Sequence, residues 1–175
     1  MIPLVLTFVG DDRPGLVNAV SEKIAAFGGT WLESRSARLA GKFAGILLVN
    51  VPDANVHALQ SALRGLAPVG LHLTIERGAV EEAKPSRLIN LDILGNERPG
   101  IVRDVTQALS GLGVNIEEFE SGLESASFTG VEMFRAHARL SAPKTLPLDD
   151  LRKALERLAG EIMVDLTVGE ADRLA

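Results

Sequence analysis

The chain has 175 residues, 46% apolar and 23% charged, with a formal charge of −5 at pH 7, a balance that excludes a disordered polymer. Scattered Lys and Arg on an acidic chain exclude a broad surface gripping nucleic-acid phosphates. The absence of cysteine excludes disulfides, thiol catalysis and thiolate metal sites.

The opening residues 1–10 are apolar but carry neither a basic leader nor a small-residue cleavage site. No stretch approaches the ~20 apolar residues of a membrane helix. A cytoplasmic protein without membrane contact is therefore expected, with an N-terminal strand over 4–9. That strand runs into the phrase GDDRPGLV at 10–17. Leu16, Val17, Val20, Ile24 and Phe27 then recur at helical spacing. Pro14 suits the first helical position, and Gly28 suits the left-handed stop. Strand-like segments follow at 30–39 and 42–51, separated by Ala40 and Gly41. Residues 43–51 are apolar on both faces, so a neighbouring domain or protomer is expected to cover the outer side of the sheet. A helix over 56–66 carries its apolar stripe at Val56, Leu59, Leu63 and Leu66. A last strand turns Val69, Leu71, Leu73 and Ile75 inward.

The opening phrase returns as GNERPGIV at 95–102. A shift of 85 aligns residues 6–51 with the second half without a gap, bringing Phe43 and Gly45 onto Phe128 and Gly130. Val56, Leu59, Leu63 and Leu66 match Leu148, Leu151, Leu155 and Leu158 at a shift of 92. Seven extra residues are thereby placed in a lengthened loop around 140–147. The last strand of this copy turns Ile162, Val164, Leu166 and Val168 inward. Two copies are too few for a solenoid, so the chain reads as duplicated domains over residues 1–78 and 88–170. A linker at 79–87 joins them, and a tail follows at 171–175. Each copy runs β-α-β-β-α-β, an α+β fold of the ferredoxin-like split βαβ plan, with helices on one face of an antiparallel sheet.

Chemistry has few carriers. His57, on a helix, His72, facing out from a strand, and His137, at a strand end, share no metal-ligand spacing. No G-x-S-x-G elbow occurs. The repeated phrase lacks the Lys-Ser/Thr of a phosphate loop, and its acids would repel phosphate. Helix capping is the plainest reading, because Asp or Asn ahead of a Pro-initiated helix satisfies free N–H groups. A cap does not require Arg-Pro-Gly, however. A recess for an amino acid explains more of the phrase: helix N-terminal N–H groups suit a carboxylate. Gly15 and Gly100 admit close approach, and Pro14 and Pro99 stiffen the loop. Oxygens of Asp11, Asp12, Asn96 and Glu97 suit an ammonium group.

A strand, an acidic or amide residue, Arg-Pro-Gly-(Leu/Ile)-Val opening a helix that ends in Gly, and Asn-Ile-Glu opening a strand together resemble the ACT domain. This regulatory module binds amino acids. The resemblance spans nearly the whole chain as two tandem copies, and DDRPGLVNAV with NIEEFES is most similar to the glycine cleavage system transcriptional repressor group. It implies a ligand held between the loop after the first strand and the start of the second strand, commonly across a domain interface. In this sequence those positions are Asp11, Asp12, Arg13, Pro14 and Gly15, then Asn96, Glu97, Arg98, Pro99 and Gly100, with Asn115, Ile116 and Glu117. The first copy has Thr30 and Trp31 where the second has Asn115 and Ile116, so the second copy is the favoured site.

The resemblance also implies a non-catalytic regulator without a cofactor. Its ligand would be glycine or serine and its partner a regulatory protein such as a transcriptional activator. Direct nucleic-acid contact is not expected, and a homodimer is. An acylphosphatase-like hydrolase and a ligand-free dimerisation module stand as the alternatives.

Overall fold

The computed structural model describes residues 1–79, 86–125 and 132–170. The chain divides into two compact units, Met1–Glu81 and Glu82–Ala175. Residues 80–85 of the expected linker and the tail at 171–175 lie outside the described residues. The first unit runs β1 (Ile2–Asp11), α1 (Leu16–Ala26), β2 (Thr30–Leu39), β3 (Lys42–Val51), α2 (Val56–Arg64) and β4 (Leu71–Arg77). The second runs β5 (Ser86–Asn96), α3 (Ile101–Gly111), β6 (Asn115–Ser125), β7 (Glu132–Pro143), α4 (Leu148–Ile162) and β8 (Val164–Glu170). The strand orders are β2-β3-β1-β4 and β6-β7-β5-β8, and all neighbours are antiparallel. This is the duplicated βαββαβ plan read from the sequence.

Strand alternation puts every second residue of the inner strands against the helices. Leu4, Leu6 and Phe8 of β1 and Leu47, Val49 and Val51 of β3 pack with Leu16, Val20 and Ile24 of α1 and Val56, Leu59 and Leu63 of α2. In the second unit Ile89, Leu91 and Ile93 join Ala136, Ala138, Leu140 and Ala142 beneath Ile101, Val105, Leu109, Leu151 and Leu155. Gly28 and Gly113 both stop their helices at φ 69°.

The structure corrects four local readings. Val69 is not in a strand; it closes a short 3-10 turn at Ala67–Val69 and is 53% exposed. Pro68 and the left-handed Gly70 (φ 82°) delay β4 until Leu71. Ile162 is buried as the last residue of α4 rather than as part of a strand. His137 sits in the middle of β7, not at its end.

The fourth correction moves the insertion. Leu6 pairs with Leu47 and Leu91 with Ala138, equivalents 91 residues apart, whereas β2 and β6 open 85 apart, at Thr30 and Asn115. Six of the seven extra residues therefore lengthen the β6–β7 connection, and one follows β7. Leu140, assigned above to the inserted loop, is fully buried in β7. The counterpart of Phe43 is Phe134; Phe128 and Gly130 lie outside the described residues. A hairpin connection absorbs extra residues without disturbing the ladder, whereas a one-residue slip inside a strand would exchange its faces.

Candidate functional site

Each Arg-Pro-Gly phrase links the last residue of a first strand to the first helix of its domain. The helix begins at Leu16 or Ile101, and its N-cap is Gly15 (φ 91°) or Gly100 (φ 97°). Pro14 and Pro99 thus stand outside the helix rather than in its first turn. The left-handed glycine that follows each proline turns the chain onto the helix axis, a conformation that costs an L-residue steric strain. Neither helix has a side-chain cap, so the capping role read for Asp or Asn is not played. The first-turn N–H groups have no intrahelical partner.

The two loops share this backbone but are tied down differently. In the first, the Asp11 carboxylate pairs with Lys42, and Asp12 pairs with Arg38 at 2.8 Å. The Asp12 N–H donates to the carbonyl of Gly41 at 2.9 Å. The hydrogen bond and charge of Lys42 hold the Asp11 carboxyl below its ordinary range. Arg13 reaches the other way, donating from Nη2 to the Val69 carbonyl at 2.6 Å. Asp11 and Asp12, proposed above as acceptors for an ammonium group, are thus already matched by cations.

In the second loop Arg98 Nη2 donates to Asp104 Oδ2 at 2.8 Å, and Arg103 donates through Nε and Nη2 to Asp104 Oδ1 at 2.9 and 2.8 Å. The hydrogen bonds from Arg103 and from Arg98 hold the Asp104 carboxyl below its ordinary range. Arg98 Nε is buried without a partner, and the same side chain lines a groove of about 780 Å³ between α3 and α4, with Gln107, Arg157 and Glu161. Asn96 opens onto a separate hollow of about 580 Å³ beside Met133 and Met163. Glu97 and Pro99 are exposed, and the Glu97 N–H donates to the Glu132 carbonyl at 3.2 Å.

Asp104 was not singled out from the sequence. Its signal was a break in the repeat, because the equivalent residue of the first copy is Ala19. Val69, whose carbonyl anchors Arg13, left no signal at all, since a backbone acceptor has no residue type.

Asn115, Ile116 and Glu117 are not brought to this loop within their own domain. Asn115 pairs with Ser141, which pairs with Leu88 near the start of β5, whereas the loop leaves β5 at Asn96. Eight residues of strand, about 26 Å, separate the two. Asn115 and Glu117 are exposed, and Asn115 Nδ2 donates to Glu117 Oε1 at 3.3 Å. Ile116 is half-buried against the core. In the first domain Thr30 is likewise at the far end, and Trp31 packs against the core. Among the described residues no group of three or more His, Asp or Glu could hold a metal ion. No helix among them is long and apolar enough to cross a membrane.

This fold, two βαββαβ units each with a glycine opening its first helix, is that of a ferredoxin-like α+β module. The model of the ACT domain family matches residues 3–75. The first domain is an ACT domain, and the second repeats its fold element by element. It is 23% identical to the glycine cleavage system transcriptional repressor of Escherichia coli (strain K12), over 91% of this chain and 85% of that protein. It is 29% identical to phosphoserine phosphatase SerB2 of Mycobacterium tuberculosis (strain ATCC 25618 / H37Rv), but spans only 40% of that enzyme.

Among solved structures, an unknown protein from Galdieria sulphuraria superposes with a TM-score of 0.88 at 31% identity, covering 98% of this chain and 99% of that one. A candidate glycine cleavage system transcriptional repressor superposes at 0.75 with 17% identity, covering 98% of each chain, a likeness of fold.

Proposed function

We propose that this protein is a non-catalytic, cytoplasmic regulator of amino-acid metabolism that responds to a small amino acid, glycine or serine. It would act through a protein partner such as a transcriptional activator rather than by gripping DNA. The observation that carries the reading is the start of α3: a helix N-terminus with no side-chain cap, opened by Gly100, beside the Arg98 guanidinium. First-turn N–H groups and a guanidinium are the donors that an α-carboxylate needs. The resemblance to the E. coli repressor supports the regulatory role.

Since Asn115 stands at the far end of its own sheet, the site needs the strand opening of another domain to supply it. Ligand binding would then favour one packing of domains, by no more than its differential affinity for the two arrangements. Calorimetric titration of the full chain with each of the twenty amino acids tests this reading. Heat with glycine or serine, abolished by Gly100→Leu and reduced by Asn115→Ala, is the expected outcome. Silence with all twenty overturns it.

A further inference from the structure

The two sheets turn very different chemistry away from their helices. On the second sheet Arg135, His137 and Arg139 of β7 lie between acids. His137 bonds Asp92 at 2.8 Å, Arg135 pairs with Glu124 at 2.9 Å and Arg139 with Glu118 at 3.9 Å. The equivalent positions of β3 hold Ala44, Ile46 and Leu48 (the register makes each pair 91 apart), and Val5 stands where β5 has Asn90. Ile46 is 48% and Val9 45% exposed. An apolar stripe of this kind along β3 and β1, broken by Thr7 and flanked by Glu33 and Arg35 of β2 and by His72, Thr74 and Glu76 of β4, has no counterpart among the described residues of the twin sheet and marks an interaction face.

We infer that the outer face of the β2-β3-β1-β4 sheet is a homodimer interface, packed against the same face of a second copy of the chain. Three observations select that occupant. The outer face of the second sheet would have to strip water from Arg135, His137 and Glu118 to cover an apolar stripe, which is costly.

The face is also complementary to itself. Arg35 pairs across the ladder with Ile46, and Glu33 with Leu48. A two-fold axis running across the strands between these two rows lays Ile46 of each copy over Leu48 of the other. Within one copy Arg35 Nη1 already pairs with Glu33 Oε1 at 2.6 Å, and the same axis lays that pair over its mate in the opposite order, Arg35 over Glu33. A hollow of about 280 Å³, floored by Val5 and Leu48 and closed by Gly78 and Ala79, lies where that axis delivers Ile46.

The size is adequate as well. Four strands of about nine residues offer on the order of 600 Å² per copy, or about 1,200 Å² in all, the lower edge of specific interfaces. A reversible, concentration-dependent dimer follows. It stands independently of the amino-acid reading above.

Sedimentation equilibrium of the full chain across the micromolar range tests the interface, with circular dichroism confirming that each variant folds. The wild-type protein is expected to show a monomer–dimer equilibrium. Ile46→Lys should weaken it at least ~10-fold, while Thr167→Lys, on the outer face of the second sheet, leaves it unchanged. Arg35→Glu should weaken the dimer, and combining it with Glu33→Arg should restore it. This pair decides the matter if Ile46→Lys does not fold. A chain that stays monomeric throughout overturns the proposal. So does a dimer indifferent to both Ile46→Lys and Arg35→Glu, or one equally weakened by Thr167→Lys.

Discussion

Strands β3 and β7 hold the same place in two copies of one fold, yet almost none of their side chains agree. Toward the helices β3 presents Leu47, Val49 and Val51, whereas β7 presents Ala136, Ala138, Leu140 and Ala142. Away from the helices β3 is aliphatic and β7 is charged. Backbone pairing and a period of two are indifferent to which apolar residue fills an inner position. Volume lost on one strand can be recovered elsewhere: α4 has 15 residues where α2 has 9, and Phe119, where the first copy has Ser34, packs against the second core. The outer face is freer still, because only an external partner or water constrains it.

The largest effect that breaks this comparison lies in the cores. Leu47→Ala deletes a side chain only 1% exposed in the first domain and should cost about 2–5 kcal/mol. The inverse change at the equivalent position, Ala138→Leu, inserts volume into a filled core and should cost about 1–3 kcal/mol. Hydrogen exchange resolved by domain would read each loss separately. A loss from Leu47→Ala confined to the second sheet would contradict the division into two cores.

The loops come next. Gly15→Ala and Gly100→Ala force a Cβ onto φ of 91° and 97°, costing about 1–2 kcal/mol each. The second should cost more, because its Cβ comes within 3.0 Å of Arg103 Nη2 while that of Gly15 meets nothing within 4 Å. Chemical denaturation midpoints that rank the two the other way would break the assignment of Arg103 to that crowding.

The smallest effect is electrostatic. The Asp104 carboxyl is held below its unfolded value of 3.8 by Arg103 and Arg98. Its contribution is therefore fully present above that value and disappears as pH falls through the lower, folded one. Asp104→Asn should flatten the acid limb of stability in the second domain, while Asp11→Asn should do so in the first, where Lys42 plays the corresponding part. Acid titrations followed by domain-resolved exchange would detect either change in the wrong domain.

Much of the fold was legible because strands and helices are written in local periodicity. The spans 30–39 and 42–51 are β2 and β3, and Val56, Leu59 and Leu63 are buried as a helical stripe. The insertion was misplaced because an ungapped run of matches says nothing about which strand a residue pairs with; only the ladder from Leu91 to Ala138 does. The loop was legible as a motif but not as a machine. Its glycine showed in the sequence, whereas the anchoring of Arg13 on a carbonyl and of Arg98 on Asp104 depends on chain brought back from 56 and 6 residues away.

The sequence by itself determined the duplication, the order of the elements and the helical stripes Leu16, Val20 and Ile24 and Val56, Leu59 and Leu63, since each depends on spacing along the chain. The tertiary structure alone decided that Asn115 and the Arg-Pro-Gly loop stand at opposite ends of one sheet. It also decided that Ile46, Leu48 and Val5 share a face from which Leu47 is turned away. Both are consequences of strand register. Register is a relation between segments distant in sequence, set by hydrogen-bond ladders that no single stretch of the chain contains.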